Sequence, residues 1–324
     1  MTSESVLESA LKRDRLIVTV ALIAVTLVAW AYVLAGAGTG MSPTAMSSLQ
    51  PESMVAAAPS AMDGERPAVG DGPSGMAAMP GMAPASEGSG KGSLATTQKE
   101  AMQARDIPMA DMGMMTPAAW TPGYAVLMFF MWWTMMVAMM LPSAAPMILL
   151  FATVNRKQRA RAAPFVPTSV FAGAYLVTWG GFSLVAVGLQ WTLLQLSWLS
   201  PAMASTSSVL GGLLLLAAGL YQLTPIKQAC LRHCRHPITF LTSHWRRGIA
   251  GAVRMGVEHG AFCVGCCWFL MGLLFVGGVM NLYWIAGLAL FVLLEKPVPA
   301  GHWLSYATGI ALVGWGTVVL ARGA

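Results

Sequence analysis

Charge is scarce in this 324-residue chain, where only 10% of the residues are Asp, Glu, Lys or Arg. An average soluble domain carries roughly 25%. Carboxylates are scarcer still: none falls between Asp111 and Glu258, and after Glu258 only Glu295 follows. A site for Mg²⁺ or Ca²⁺ needs several oxygen ligands, and a two-carboxylate hydrolase needs its pair, so this stretch excludes both. Cysteine is limited to five residues, all between Cys230 and Cys267, which is not the spread of an extracellular disulfide framework. The net charge of +6 does not indicate nucleic acid, because the basic residues sit in short segments between apolar runs rather than on one folded face.

What the chain has in quantity is apolar surface, with 56% hydrophobic residues and a mean hydropathy of +0.64. Apolar runs at 17–36, 124–154, 165–193, 208–226, 260–280, 281–295 and 301–321 approach the roughly 20 residues needed to cross a bilayer. The reading is an all-α, polytopic integral membrane protein of about seven transmembrane helices, with the shortest run ending at Glu295 and Lys296. Most basic residues fall on one side of this layout: Lys12, Arg13 and Arg15; Arg156 to Arg161; Lys227 to Arg254; and Lys296. By the positive-inside rule that side is the cytoplasm. The N-terminus is then inside, the protein belongs to a bacterial inner membrane, and the lipid bilayer is its first partner. The first run is longer than the h-region of a signal peptide and reads as an anchor, with cleavage after the small residues near Ala35 and Ala37 as the competing reading.

Three regions follow: 1–36, a tail and first helix; 37–119, an arm; and 120–324, a helical membrane domain. The arm is rich in Gly, Pro, Ser and Met and lacks periodicity, so it is expected to be disordered and extracytoplasmic. Its Met residues group as Met76, Met79 and Met82, and as Met109, Met112, Met114 and Met115. Thioethers are soft and neutral, which suits Cu(I) capture better than Zn(II). The next run places Met131, Met135 and Met139 on one helical face, as a metal path or as packing.

Sulfur and imidazole converge further on. The segment after the fourth run holds Cys230, His233, Cys234 and His236, and reads as a cytoplasmic loop. The fifth run opens at Glu258-His259 and continues through Cys263, Cys266 and Cys267, so that His259, Cys263 and Cys267 share a helical face. We take Cys230, His233, Cys234, His259, Cys263, Cys266 and Cys267 as metal ligands, with Glu258 beside them as support. Soft ligands of this kind fit Cu(I), with zinc as the alternative.

The strings Thr224-Pro225-Ile226-Lys227, Cys230 with Cys234-Arg235, Gly265-Cys266-Cys267-Trp268 and Leu294-Glu295-Lys296 resemble those of a bacterial family of predicted metal-binding integral membrane proteins. The resemblance spans about 120–321 and implies a helical membrane domain with a metal site, but no reaction. Three functions stay open. The first is Cu(I) uptake, transfer or insertion, with a metallochaperone or metalloenzyme client as partner and no catalysis. The second is a membrane thiol oxidoreductase using Cys263 and Cys266, in which a helix start lowers the thiol pKa. The third is a structural or assembly subunit with a fixed metal.

Overall fold

The computed structural model describes residues 3–39, 46–47, 120–159, 166–199, 203–205, 207–298 and 301–323. Apart from Met46, the Met residues of the arm lie outside the described residues, so the two arm groups are not placed. The described elements are helices: α1 (Ser3–Leu34), α2 (Pro122–Arg159), α3 (Thr168–Gln195), α4 (Ser208–Leu223), α5 (Pro225–Arg235), α6 (Pro237–His244), α7 (Gly248–Gly272), α8 (Leu274–Gly277), α9 (Leu282–Glu295) and α10 (Gly301–Gly323). Among the described residues the only β pairing is an isolated bridge between Leu199 and Ser205.

Five helical segments are long and apolar enough to cross a membrane, namely Arg15–Leu34, Pro122–Lys157, Thr168–Gln195, Gly248–Gly277 and Gly301–Gly323. Among the described residues there is a sixth only if α4 and α5, bent by 65° at their junction, count as one broken span. Seven spans require α9 to cross as well, and its 14 residues reach about 21 Å at 1.5 Å each, short of a core about 30 Å thick.

Local chemistry explains several of these elements. Helix α2 runs through Pro142 and Pro146. Pro142 has no N–H for the carbonyl of Ala138, and the indole of Trp30 on α1 donates to that oxygen at 3.1 Å instead. At the α4–α5 bend, Thr224 ends one helix in extended backbone and caps the next by accepting from the Lys227 N–H at 3.3 Å, with Pro225 at the first position.

Helices α4 and α10 approach through glycines spaced seven apart on each. A Cβ at Gly219 would lie 2.8 Å from the Gly309 carbonyl, and one at Gly316 would lie 2.9 Å from the Leu216 nitrogen. Small residues are what let helix backbones meet where no water drives them together. Gly219→Leu is therefore expected to cost about 1–3 kcal/mol by overpacking, read as a lower thermal midpoint in detergent. Leu213→Ala on the exposed side of α4 should change the midpoint little.

Two expectations from the sequence need correction. The stretch expected to be a loop after the fourth run is helical, because Pro225 and Pro237 each start a helix there. Its Lys227 is wholly buried rather than solvated, and Lys296 is buried as well. The fifth run does not open at Glu258: α7 begins at Gly248, ten residues earlier in number. Arg254 marks no loop, since it sits on an exposed face of α7 and binds Glu258 four residues on at 3.0 Å. Cys263 and Cys266 thus lie deep inside a helix, so no unpaired terminal N–H groups act on them and the helix-start argument for a reactive pair falls.

Candidate metal centre

Helix α5 is amphipathic, and its spacing turns Lys227, Cys230, Leu231 and Cys234 toward one side, against α7. Contact is close because Gly265 has no side chain: a Cβ there would stand 3.0 Å from the Cys230 sulfur. The Tyr221 hydroxyl of α4 donates to the Gly265 carbonyl and holds the junction in place. In this way the two sulfur-bearing segments, 33 residues apart at Cys230 and Cys263, come together.

Cys263 is the hub of the arrangement and is fully buried. Its sulfur lies 3.2 Å from the Tyr175 hydroxyl of α3 and accepts from the Lys296 ammonium at 3.1 Å. The Cys266 and Cys267 thiols donate back to the Cys263 carbonyl at 3.1 and 2.9 Å, which turns both sulfurs along the same stretch of α7. Cys234 reaches across from α5 to interact with Cys263 and Cys266. A thioether completes the cluster, since Met140 Sδ on α2 is 4.0 Å from Cys267 Sγ. Lys296 also donates to Ser143 Oγ at 2.7 Å, so one positive charge is fixed against the sulfurs. Metal bound by several thiolates carries net negative charge, and a nearby ammonium offsets it in a medium of low dielectric.

The remaining expected ligands fare differently. His259 is buried one turn before Cys263, with its ring 5.7 Å from Tyr175, 5.6 Å from Phe240 and 6.2 Å from Phe171. Its Nδ1 has no hydrogen-bond partner, an orphaned polar atom that a ligand would satisfy. His233 stacks flat on Phe262 at 4.0 Å and its Nδ1 meets the Ala229 carbonyl at 2.9 Å. Glu258 Oε1 lies 3.0 Å from Arg254 and 3.9 Å from Arg246, while its Oε2 is buried without a hydrogen-bond partner. Met131, Met135 and Met139 are buried along α2 together with Met136 and Met140. Among the described residues no three His, Cys, Asp or Glu side chains form a ready metal-holding group. The sulfurs that do come together are soft donors, with the Met140 thioether beside the Cys267 thiol.

Tyr175, Ser143 and Lys296 were not singled out from the sequence as parts of a site. Neither was a second buried group, in which the Lys227 ammonium binds Glu295 and Gln222 while the Ser305 hydroxyl donates to Glu295. Consecutive Glu295 and Lys296 thus serve two different clusters. The available signal was a Glu-Lys pair closing an apolar run, since ionisable residues in such runs are costly and usually partnered.

A family model described as PpoB2, a copper chaperone, matches residues 129–319. The match takes in α2 from its eighth residue through most of α10, and with them all five cysteines, Tyr175 and Lys296. No curated protein and no solved structure matches.

Proposed function

Since the chain belongs to the PpoB2 copper chaperone family, we propose that it is a membrane-embedded Cu(I) carrier that holds the ion at Cys263 and its neighbouring sulfurs and passes it to an acceptor protein. The observation that carries this reading is the convergence of Cys234, Cys263, Cys266 and Cys267 with the Met140 thioether, in a region with almost no carboxylates. Soft sulfur ligands select Cu(I), and a flexible number of them permits hand-over, because a two- or three-coordinate ion can exchange one ligand at a time.

The basic residues apart from the buried Lys227 and Lys296, among them Lys12, Arg13, Arg15, Arg156, Lys157, Arg246 and Arg247, support an inner-membrane location with these segments toward the cytoplasm and the Met-rich arm outside. In that arrangement the arm raises the local concentration of Cu(I) without holding it in one geometry. The thiol oxidoreductase reading has less support. Cys263 and Cys266 lie well inside the helix that begins at Gly248, so the helix-start activation on which that reading rests does not reach them.

Transfer is the discriminating property. Full-length protein loaded with Cu(I) in detergent is expected to deliver it to an apo copper-binding protein at a rate that rises with acceptor concentration. A rate independent of the acceptor, equal to simple release into a small chelator, would contradict the carrier function.

A further inference from the structure

A second group of soft side chains lies at Met128, near the start of α2, whereas the thiols meet that helix near its middle, at Met140. Gln190, near the end of α3, is fully buried among apolar residues. Its carbonyl oxygen accepts from the Trp132 indole at 2.7 Å. Its amide nitrogen points at two sulfurs, Met203 Sδ at 3.3 Å and Met128 Sδ at 3.6 Å. A thioether is a weak acceptor, so two of them compensate poorly for burying an amide. Both sulfurs nevertheless flank a single point, the Gln190 amide nitrogen, as two thioether ligands would flank a soft cation.

Met203 provides an independent observation. It belongs to the segment between α3 and α4 and has a φ of 59°, a left-handed backbone that side chains other than Gly, Asn and Asp rarely adopt. Strain of this kind costs on the order of 1–3 kcal/mol and persists where the surroundings enforce it. Here its carbonyl accepts from the Val279 N–H at 3.3 Å, and its side chain is turned inward onto Gln190. The strained residue is thus the one that delivers a sulfur.

We propose that Met128, Met203 and Gln190 form a second soft-metal site, for Cu(I) or Ag(I), in which the ion displaces the Gln190 amide from between the two thioethers. The inference rests on the Cu(I) reading above. Met128 and Met140 are twelve residues apart on α2, about 18 Å at 1.5 Å per residue. Met131, Met135, Met136 and Met139 are buried between them, so sulfur continues along the helix from this site to Cys267.

The test titrates Ag(I), a redox-inert soft ion, into the full-length protein in detergent against a competing chelator. Wild type is compared with Met128→Leu/Met203→Leu, with Met147→Leu as a buried control, and with Cys263→Ser/Cys267→Ser. Leu replaces Met at nearly constant volume, and the arm's own thioethers are the same in every sample. The expected result is a tight ion lost only in the Cys variant and a weaker ion whose affinity falls at least tenfold only in the double Met variant. A double Met variant that titrates like wild type, while the Cys variant loses its tight ion, would reduce these contacts to packing and leave the Cu(I) reading intact. Wild type that binds no ion beyond the Cys variant would overturn that reading and this site with it. If the double variant loses both ions, Met203→Leu alone decides: weakening of the second ion supports the site, and retention of both refutes it.

Discussion

Cys263→Ser alone is expected to lower Cu(I) affinity by at least about 100-fold, the largest loss of any single thiol. Mutation of a group that only orients a ligand already costs about 10–100-fold in metal affinity, and the proposed carrier function makes Cys263 itself a ligand, at the point where the other groups meet. Its sulfur touches Tyr175 and Lys296 and lies within reach of Cys234, contacts that Ser does not reproduce with a soft donor. Cys266→Ser should lower occupancy only in part, and Cys234→Ser by a similar amount, because two or three soft ligands remain in each case. Cys230→Ser should have the smallest effect, since that sulfur rests on Gly265. Adding Cys267→Ser to Cys263→Ser should abolish binding. Competition with a Cu(I) chelator under reducing conditions measures all of these. Equal effects from the five single variants would contradict a hub at Cys263.

The second large effect concerns stability. Glu295→Ala leaves the wholly buried Lys227 without its charge partner, and breaking a buried pair from one side costs about 3–5 kcal/mol. Replacing both, as Lys227→Met with Glu295→Leu, should recover most of that loss, because a well-packed apolar pair avoids the desolvation cost of two charges. The check is the thermal midpoint in detergent, with the single variant well below wild type and the double variant close to it. A single variant indistinguishable from wild type would mean the pair is solvated. The single variant should also bind Cu(I) more weakly, because Glu295 fixes the chain just before Lys296, whose ammonium faces Cys263.

Much of this was legible in the sequence. Composition and apolar runs predict the helical class: the runs at 124–154 and 301–321 fall within α2 and α10, and the run at 165–193 overlaps α3 from Thr168 onward. The clustering of Cys and His in the sequence points to α5 and α7, which pack together in the fold. Hydropathy failed where polar side chains are turned inward or lie along one exposed helix face. Arg254 and Glu258 satisfy each other on the outside of α7, so charge there did not end the helix. Lys227 and Lys296 look like loop charges until their partners, distant in sequence, are seen. Spacing could place Cys263 and Cys267 on one face, but it could not place α5 across them, which depends on a proline bend and on the glycine at 265.

The central claim is that this chain holds Cu(I) through sulfur at Cys263. Its most direct test is the metal content of the full-length protein purified under reducing conditions, joined to X-ray absorption at the copper edge. Bound Cu(I) is expected in a sulfur-dominated environment that disappears in Cys263→Ser/Cys267→Ser. Copper no higher in wild type than in that variant, or an ion held by nitrogen and oxygen, would contradict the claim.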